Sequence, residues 1–145
     1  MYSYGYNELI RDLISIDNFK KFMKLSVIGN SVLGKKLFMI EASTEKGLQC
    51  GKKNILVISC HHSLESITSE FILQYLLNSD ESKFLNANLF VVPLLNPDGV
   101  EIFSTKKVKN SGVWQANANG VDLNHNYDAG FHIAREAVEN EGITG

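Results

Sequence analysis

A chain of 145 residues, 44% hydrophobic and 21% charged with only two prolines, holds enough apolar material for one buried core. Fourteen basic against sixteen acidic residues leave a net charge of −2. That balance excludes a disordered or low-complexity chain, and no apolar run approaches the ~18 residues of a membrane span, so a soluble protein is expected. Residues 7–17 set Leu9, Ile10, Leu13, Ile14 and Ile16 at helical spacing, which predicts an opening helix. Residues 23–28 and 36–42 are strand candidates. Gly29, Asn30 and Gly34 lie between them and tolerate the positive φ of a tight connection, so a hairpin is expected. Residues 54–60 (NILVISC) form a short continuous apolar run, the pattern of a central strand covered on both faces.

Residues 63–78 predict a helix whose apolar stripe is Leu64, Ile67, Phe71, Ile72, Tyr75 and Leu76, with Glu65, Ser69 and Glu70 outside it. A second buried strand over 88–94 (NLFVVPL) completes a strand–helix–strand unit, which implies parallel pairing. Beyond Pro97 a loop-rich stretch is expected as far as Asn126, and residues 134–140 begin another helix. The pattern predicts an α/β fold with helices covering a mixed sheet.

The lysine pairs Lys20/Lys21, Lys35/Lys36, Lys52/Lys53 and Lys106/Lys107 are scattered, so they read as solvated surface and no nucleic-acid partner is expected. Cys50 and Cys60 are too few to staple a domain and lack C-x-x-C spacing; they read as idle thiols of a reducing compartment. The N-terminus has neither a basic nor an apolar leader region, which makes the cytoplasm the default location.

Three segments carry candidate chemistry. His62-Ser63-Leu64-Glu65 directly follows the NILVISC strand, at the strand end where α/β sheets gather ligands. Residues three apart on a helix share a face, so the His62 imidazole and Glu65 carboxylate can converge on one ion; alone, the pair equally suits a helix start. Its neighbour His61 points elsewhere and reads as a packing or surface histidine. Asn96-Pro97-Asp98-Gly99 ends the second buried strand and reads as turn chemistry on the same sheet edge. From Trp114 to Gly130 the chain is crowded with amides and acids. Alternation in residues 120–126 suggests an extended segment with Val121 and Leu123 inward and Asp122, Asn124 and Asn126 opposite.

The order of these segments resembles the zinc carboxypeptidase family, the carboxypeptidase A-like metallopeptidases. There H-x-x-E, N-P-D-G, a tryptophan and G-V-D-x-N-R-N follow one another, as His62–Glu65, Asn96–Gly99, Trp114 and residues 120–126 do here. Residues 29–36 (GNSVLGKK) are similar to that family's G-x-S-x-x-G-R segment. The resemblance implies a three-layer α/β/α, phosphorylase/hydrolase-like fold with a mixed, largely parallel sheet. It implies Zn(2+) as cofactor, with His62 and Glu65 as metal ligands and Asp122 as the carboxylate that orients the His62 ring. Asn124 and His125 stand at its substrate-binding positions. Its members cut peptide or amide bonds with metal-activated water and a glutamate general base.

Two substitutions pull the chain toward one branch of that family. His125 stands where an arginine usually clamps the substrate α-carboxylate, and a histidine offers no permanent, forked charge. Gln115 stands where an arginine stabilises the oxyanion; it remains a possible uncharged donor. With the run Trp114–Asn124, the stretch 127–130 and residues 141–145, these resemble the γ-D-glutamyl-meso-diaminopimelate peptidases, which act on murein-type peptides. The family's third zinc ligand and general-base glutamate have no match. His132 follows the third motif without an intervening strand and reads as a surface histidine. Residues 1–145 are therefore expected to be the N-terminal part of a single catalytic domain, incomplete at the C-terminus and with little hydrolysis alone. The rival readings are a succinylglutamate desuccinylase or aspartoacylase-like deacylase, which Pro97-Asp98-Gly99 and Trp114 disfavour, and a non-catalytic peptide-binding remnant. A peptide substrate is the expected partner; oligomeric state is left open.

Overall fold

A computed structural model of the chain describes residues 4–44, 48, 51–105 and 114–140. Cys50, Lys106, Lys107 and residues 141–145, all singled out above, lie outside the described residues. Helix α1 (Tyr6–Phe19) leads into strands β1 (Met23–Asn30), β2 (Lys36–Ala42) and β3 (Lys53–Ile58). A 3-10 turn at Ser63–Glu65, helix α2 (Ile67–Leu77) and a second turn at Glu81–Phe84 connect β3 to β4 (Ala87–Val92). Helices α3 (Pro97–Ser104) and α4 (Phe131–Asn140) follow.

Each element has a local cause. At the start of α1 the Glu8 carboxylate accepts the Gly5 N–H at 3.0 Å, and Leu9, Leu13 and Ile16 form the buried face. Asp12 is buried with them because the Tyr4 hydroxyl donates to it at 2.8 Å. The hairpin between β1 and β2 closes where Gly34, at φ +85°, donates its N–H to the Ser31 carbonyl. The Ser31 hydroxyl then accepts the Lys35 N–H at 3.0 Å.

The strands lie in the order β1-β2-β4-β3. β1–β2 and β2–β4 are antiparallel, so parallel pairing is confined to β3–β4, the two strands joined through α2. Register aligns Leu25, Ile40, Val91 and Val57 across the sheet. This row faces Leu9, Leu13 and Ile16 of α1 and Leu73 and Leu76 of α2 in one apolar cluster. The adjacent row, Lys24, Glu41, Phe90 and Leu56, points to the opposite face. The sheet is thus mixed, with flanking helices, as expected.

Four local readings change. The run at 54–60 was expected to be a central strand covered on both faces; β3 is instead an edge strand, and Leu56 is 60% exposed. Among the described residues no strand pairs with its free side. The expected stripe of the following helix divides. Of that stripe Leu76 faces the core, joined by Leu73 and Ser69, which lay outside it, while Ile67, Phe71 and Tyr75 face outward, Phe71 at 74% exposure. Residues 97–104 are helix rather than loop, because Asn96 caps and Pro97 fills the first helical turn. Residues 120–126 are turns rather than an extended segment.

Candidate metal centre

The centre is built where β3 and β4 end side by side. After β3 the chain bends at Cys60, whose φ of +56° lies in the left-handed region and costs about 1–3 kcal/mol for a non-glycine residue. The bend is held because the Cys60 N–H donates to the Thr68 hydroxyl at 3.1 Å. Burial pushes the Cys60 thiol up to about 12, so it is a protonated packing group. Ser59 and Cys60 carbonyls accept the N–H groups of Leu95 and Asn96, which locks the two strand ends together.

His62 then stands between two carboxylates. Its Nδ1 lies 3.2 Å from Glu65 Oε1, and its Nε2 lies 3.1 Å from Asp122 Oδ1. Burial lowers the His62 pKa, but hydrogen bonds to Glu65 and Asp122 outweigh it and hold the ring above its ordinary value. Burial likewise raises Asp122, and the His62 hydrogen bond with the His125 and His62 charges outweighs it, so the carboxyl lies below its usual range. Asp122 organises its own segment as well. Its Oδ1 accepts the N–H groups of Asn124 at 3.0 Å and His125 at 3.4 Å, and its carbonyl accepts Asn126 Nδ2 at 2.7 Å. These local bonds explain why residues 120–126 turn instead of extending.

Zinc ligands at about 2.0–2.1 Å with tetrahedral angles lie roughly 3.3 Å from one another. The Nδ1–Oε1 gap of 3.2 Å matches that separation, and Asp122 occupies the other ring nitrogen in the manner of an orienting carboxylate. The two residues therefore fit a zinc ion as a pair. Among the described residues no group of three or more His, Cys, Asp or Glu side chains could hold a metal. His125 is 74% exposed, its ring 6.5 Å from that of His62, and Nδ1 is turned to Asp122 Oδ2 at 3.5 Å. His132 sits on α4 with its ring edge-on to Phe131. Gln115 and Asn124 are exposed.

Two residues matter more than the sequence suggested. Asn96 is almost fully buried and serves three neighbours: its Oδ1 accepts the Gly99 N–H at 2.9 Å, while Nδ2 donates to the His61 and Ala116 carbonyls, each at 3.0 Å. Gly99 is required by this closeness, since a Cβ there would lie 2.5 Å from Asn96 Nδ2 and 2.7 Å from the Ala116 oxygen. Lys35, read as solvated, is instead mostly buried. It pairs with Asp98 at 2.9 Å and Glu101 at 2.8 Å, and Asp98 also accepts the Leu33 N–H at 2.9 Å. The signal was present in the spacing of GNSVLGK and NPDG but needed the fold to join them. Ser63 also donates its hydroxyl to the Trp114 carbonyl, tying the third segment to the first.

The structure thus sets a histidine between two carboxylates where β3 and β4 end, beside an amide-rich loop. The model of the zinc carboxypeptidase family matches residues 11–142, and the chain belongs to that family. It is 31% identical over 137 residues to the carboxypeptidase N catalytic chain of Mus musculus, covering 84% of this chain and 30% of that one. It is 26% identical over 161 residues to gamma-D-glutamyl-L-diamino acid endopeptidase 1 of Lysinibacillus sphaericus, covering 90% and 39%. A metallo-carboxypeptidase from Burkholderia cenocepacia superposes with a TM-score of 0.67 at 20% identity, over 95% of this chain and 38% of that one. The chain thus spans between 30% and 39% of the length of these curated relatives.

Proposed function

We propose that this chain is the N-terminal part of a zinc-dependent metallopeptidase domain that hydrolyses amide bonds of peptides, with murein-type γ-D-glutamyl-diaminopimelate peptides as the substrate class. One observation carries the reading: His62 turns Nδ1 toward Glu65 while Asp122 holds Nε2. His62 and Glu65 hold the metal, and Asp122 fixes the ring so that the Nδ1 lone pair faces it. When bound, zinc acidifies water toward a pKa of ~7 and polarises the scissile carbonyl. The working domain adds a third ligand and a general-base glutamate to these residues.

Substrate selectivity follows from what the chain presents beside the metal. Asn124 and His125 offer hydrogen bonds at the positions where most of the family binds the substrate terminus, without the permanent fork of an arginine. Gln115 offers an uncharged amide to the developing oxyanion. This favours a substrate recognised through neutral or zwitterionic groups over one held by a plain C-terminal carboxylate. The likeness to an endopeptidase named for γ-D-glutamyl-diamino acid bonds supports the same class.

The test pairs zinc titration with cleavage assays on the full protein. His62→Ala and Glu65→Ala are each expected to weaken zinc binding by more than about tenfold and to abolish zinc-dependent cleavage of γ-D-glutamyl-diaminopimelate peptides. Undiminished cleavage in either variant would refute the assignment.

A further inference from the structure

His61, one residue before the proposed ligand, is fixed from two directions. Its carbonyl accepts Asn96 Nδ2 at 3.0 Å, and its ring Nε2 lies 2.7 Å from the Tyr127 hydroxyl. The His61 and Tyr127 rings meet edge-on, centroids 5.7 Å apart and planes at 60°. Tyr127 immediately follows Asn126, which is tied back to the Asp122 carbonyl, and Asp122 holds His62. The contacts close a loop: His61 to His62 along the chain, His62 to Asp122, Asp122 through Asn126 to Tyr127, and Tyr127 back to His61.

This loop bears on the centre because residues 121–127 lie outside any helix or strand and have no ladder to hold them. The segment is fastened to the end of β3 at both ends, by Asp122 at one and Tyr127 at the other. On its other side Leu123, Asn126 and Tyr127 border a cavity of about 420 Å³ shared with Ser31, Val32 and Leu37 of the hairpin region, so packing there leaves the segment room to shift. Asn124 and His125, between the two fastenings, are exposed.

We propose that His61 and Tyr127 form a clasp that positions Asp122 against the His62 ring and presents Asn124 and His125 to the substrate. Both are positioning residues; neither touches the metal. The inference rests on the metal-site reading above for its consequence, but the clasp itself is testable without metal.

In the metal-free chain the His62 and His125 rings, 6.5 Å apart and nearly perpendicular, give a cross-ring nuclear Overhauser contact. Tyr127→Phe and His61→Phe are expected to abolish it with the thermal midpoint little changed, and His61→Gln, which keeps a hydrogen-bonding group, to retain it. Absence of the contact in the unaltered chain, or its persistence in Tyr127→Phe, overturns the clasp. The His61 ring-nitrogen chemical shift in the unaltered chain gives a check that needs no variant. A hydrogen-bonded Nε2 supports the clasp, and the shift of a freely exchanging imidazole overturns it. In the full protein, Tyr127→Phe is expected to bind zinc about tenfold more weakly. A full protein that shows the clasp yet takes up no zinc counts against the metal reading alone.

Discussion

Asp98 shows how much one residue of a turn-like motif can carry. It is 1% exposed, and its carboxylate is met by the Lys35 ammonium and the Leu33 N–H, which together pin the β1–β2 hairpin to the start of α3. Burial alone would raise Asp98; the Leu33 and Lys35 hydrogen bonds outweigh it and hold its pKa below the usual carboxylate range. Lys35 behaves in mirror image: burial pulls it down, and the bonds to Glu101 and Asp98 raise it above the ordinary lysine value. A carboxylate depressed on folding stabilises above its unfolded pKa of ~3.9 and loses that contribution as pH falls through the folded value. A lysine raised on folding stabilises below ~10.4 and loses its share as pH climbs through the folded value. The pair therefore contributes fully between those limits. Asp98→Asn is expected to cost about 3 kcal/mol at neutral pH, by leaving a buried cation with only Glu101. Urea midpoints of the two proteins should converge as the pH is taken well below ~4, and a gap that stays constant into strong acid would contradict the ion-pair account.

At the scale of elements, the site depends on α3 beginning where it does. Asn96 caps the helix, and its amide also bridges to the carbonyls of His61 and Ala116, so one side chain joins all three sequence motifs. Asn96→Ala is expected to lose about 3 kcal/mol, combining a lost cap of ~1 with buried carbonyls left unpaired at ~1–3. Asn96→Asp keeps the cap but turns a carboxylate on two carbonyls, and is expected to be no more stable in thermal melts at neutral pH. Recovery of wild-type stability by aspartate would show that the bridges contribute nothing. This element also marks the limits of sequence reading. The helix–hairpin opening and the β3–α2–β4 unit follow from spacing alone, whereas only the resemblance to the zinc carboxypeptidase family groups Asp122 with His62 and Glu65. Helix α3 was hidden because N-P-D-G satisfies turn and helix-start chemistry equally well. The Lys35–Asp98 pair and the His61–Tyr127 contact join residues 63 and 66 positions apart, and no local pattern reports such distances.

The whole molecule presents an unequal sheet. One face is sealed by α1 and α2, whereas β3, the strand that delivers His61 and His62, lies at the edge. Its Ile55 and Leu56 are exposed, and Ile67, Phe71 and Tyr75 run along the outer side of α2 at helical spacing. An unpaired apolar edge is a template for further strands, and Lys53, exposed at its start, is the sole charge on it. Any strand pairing at this edge would lie directly beside the His62 end of β3. In the chain by itself the edge has a different consequence: it is expected to drive self-association at high concentration. Leu56→Lys places a second charge on the edge opposite Phe90 without touching the buried Leu25–Ile40–Val91–Val57 row. Static light scattering across a concentration series should show the average mass rising for the unaltered chain and staying near monomer for the variant. Equal association in both would move the sticky surface away from β3, toward the outer side of α2, where Phe71→Glu is the corresponding probe.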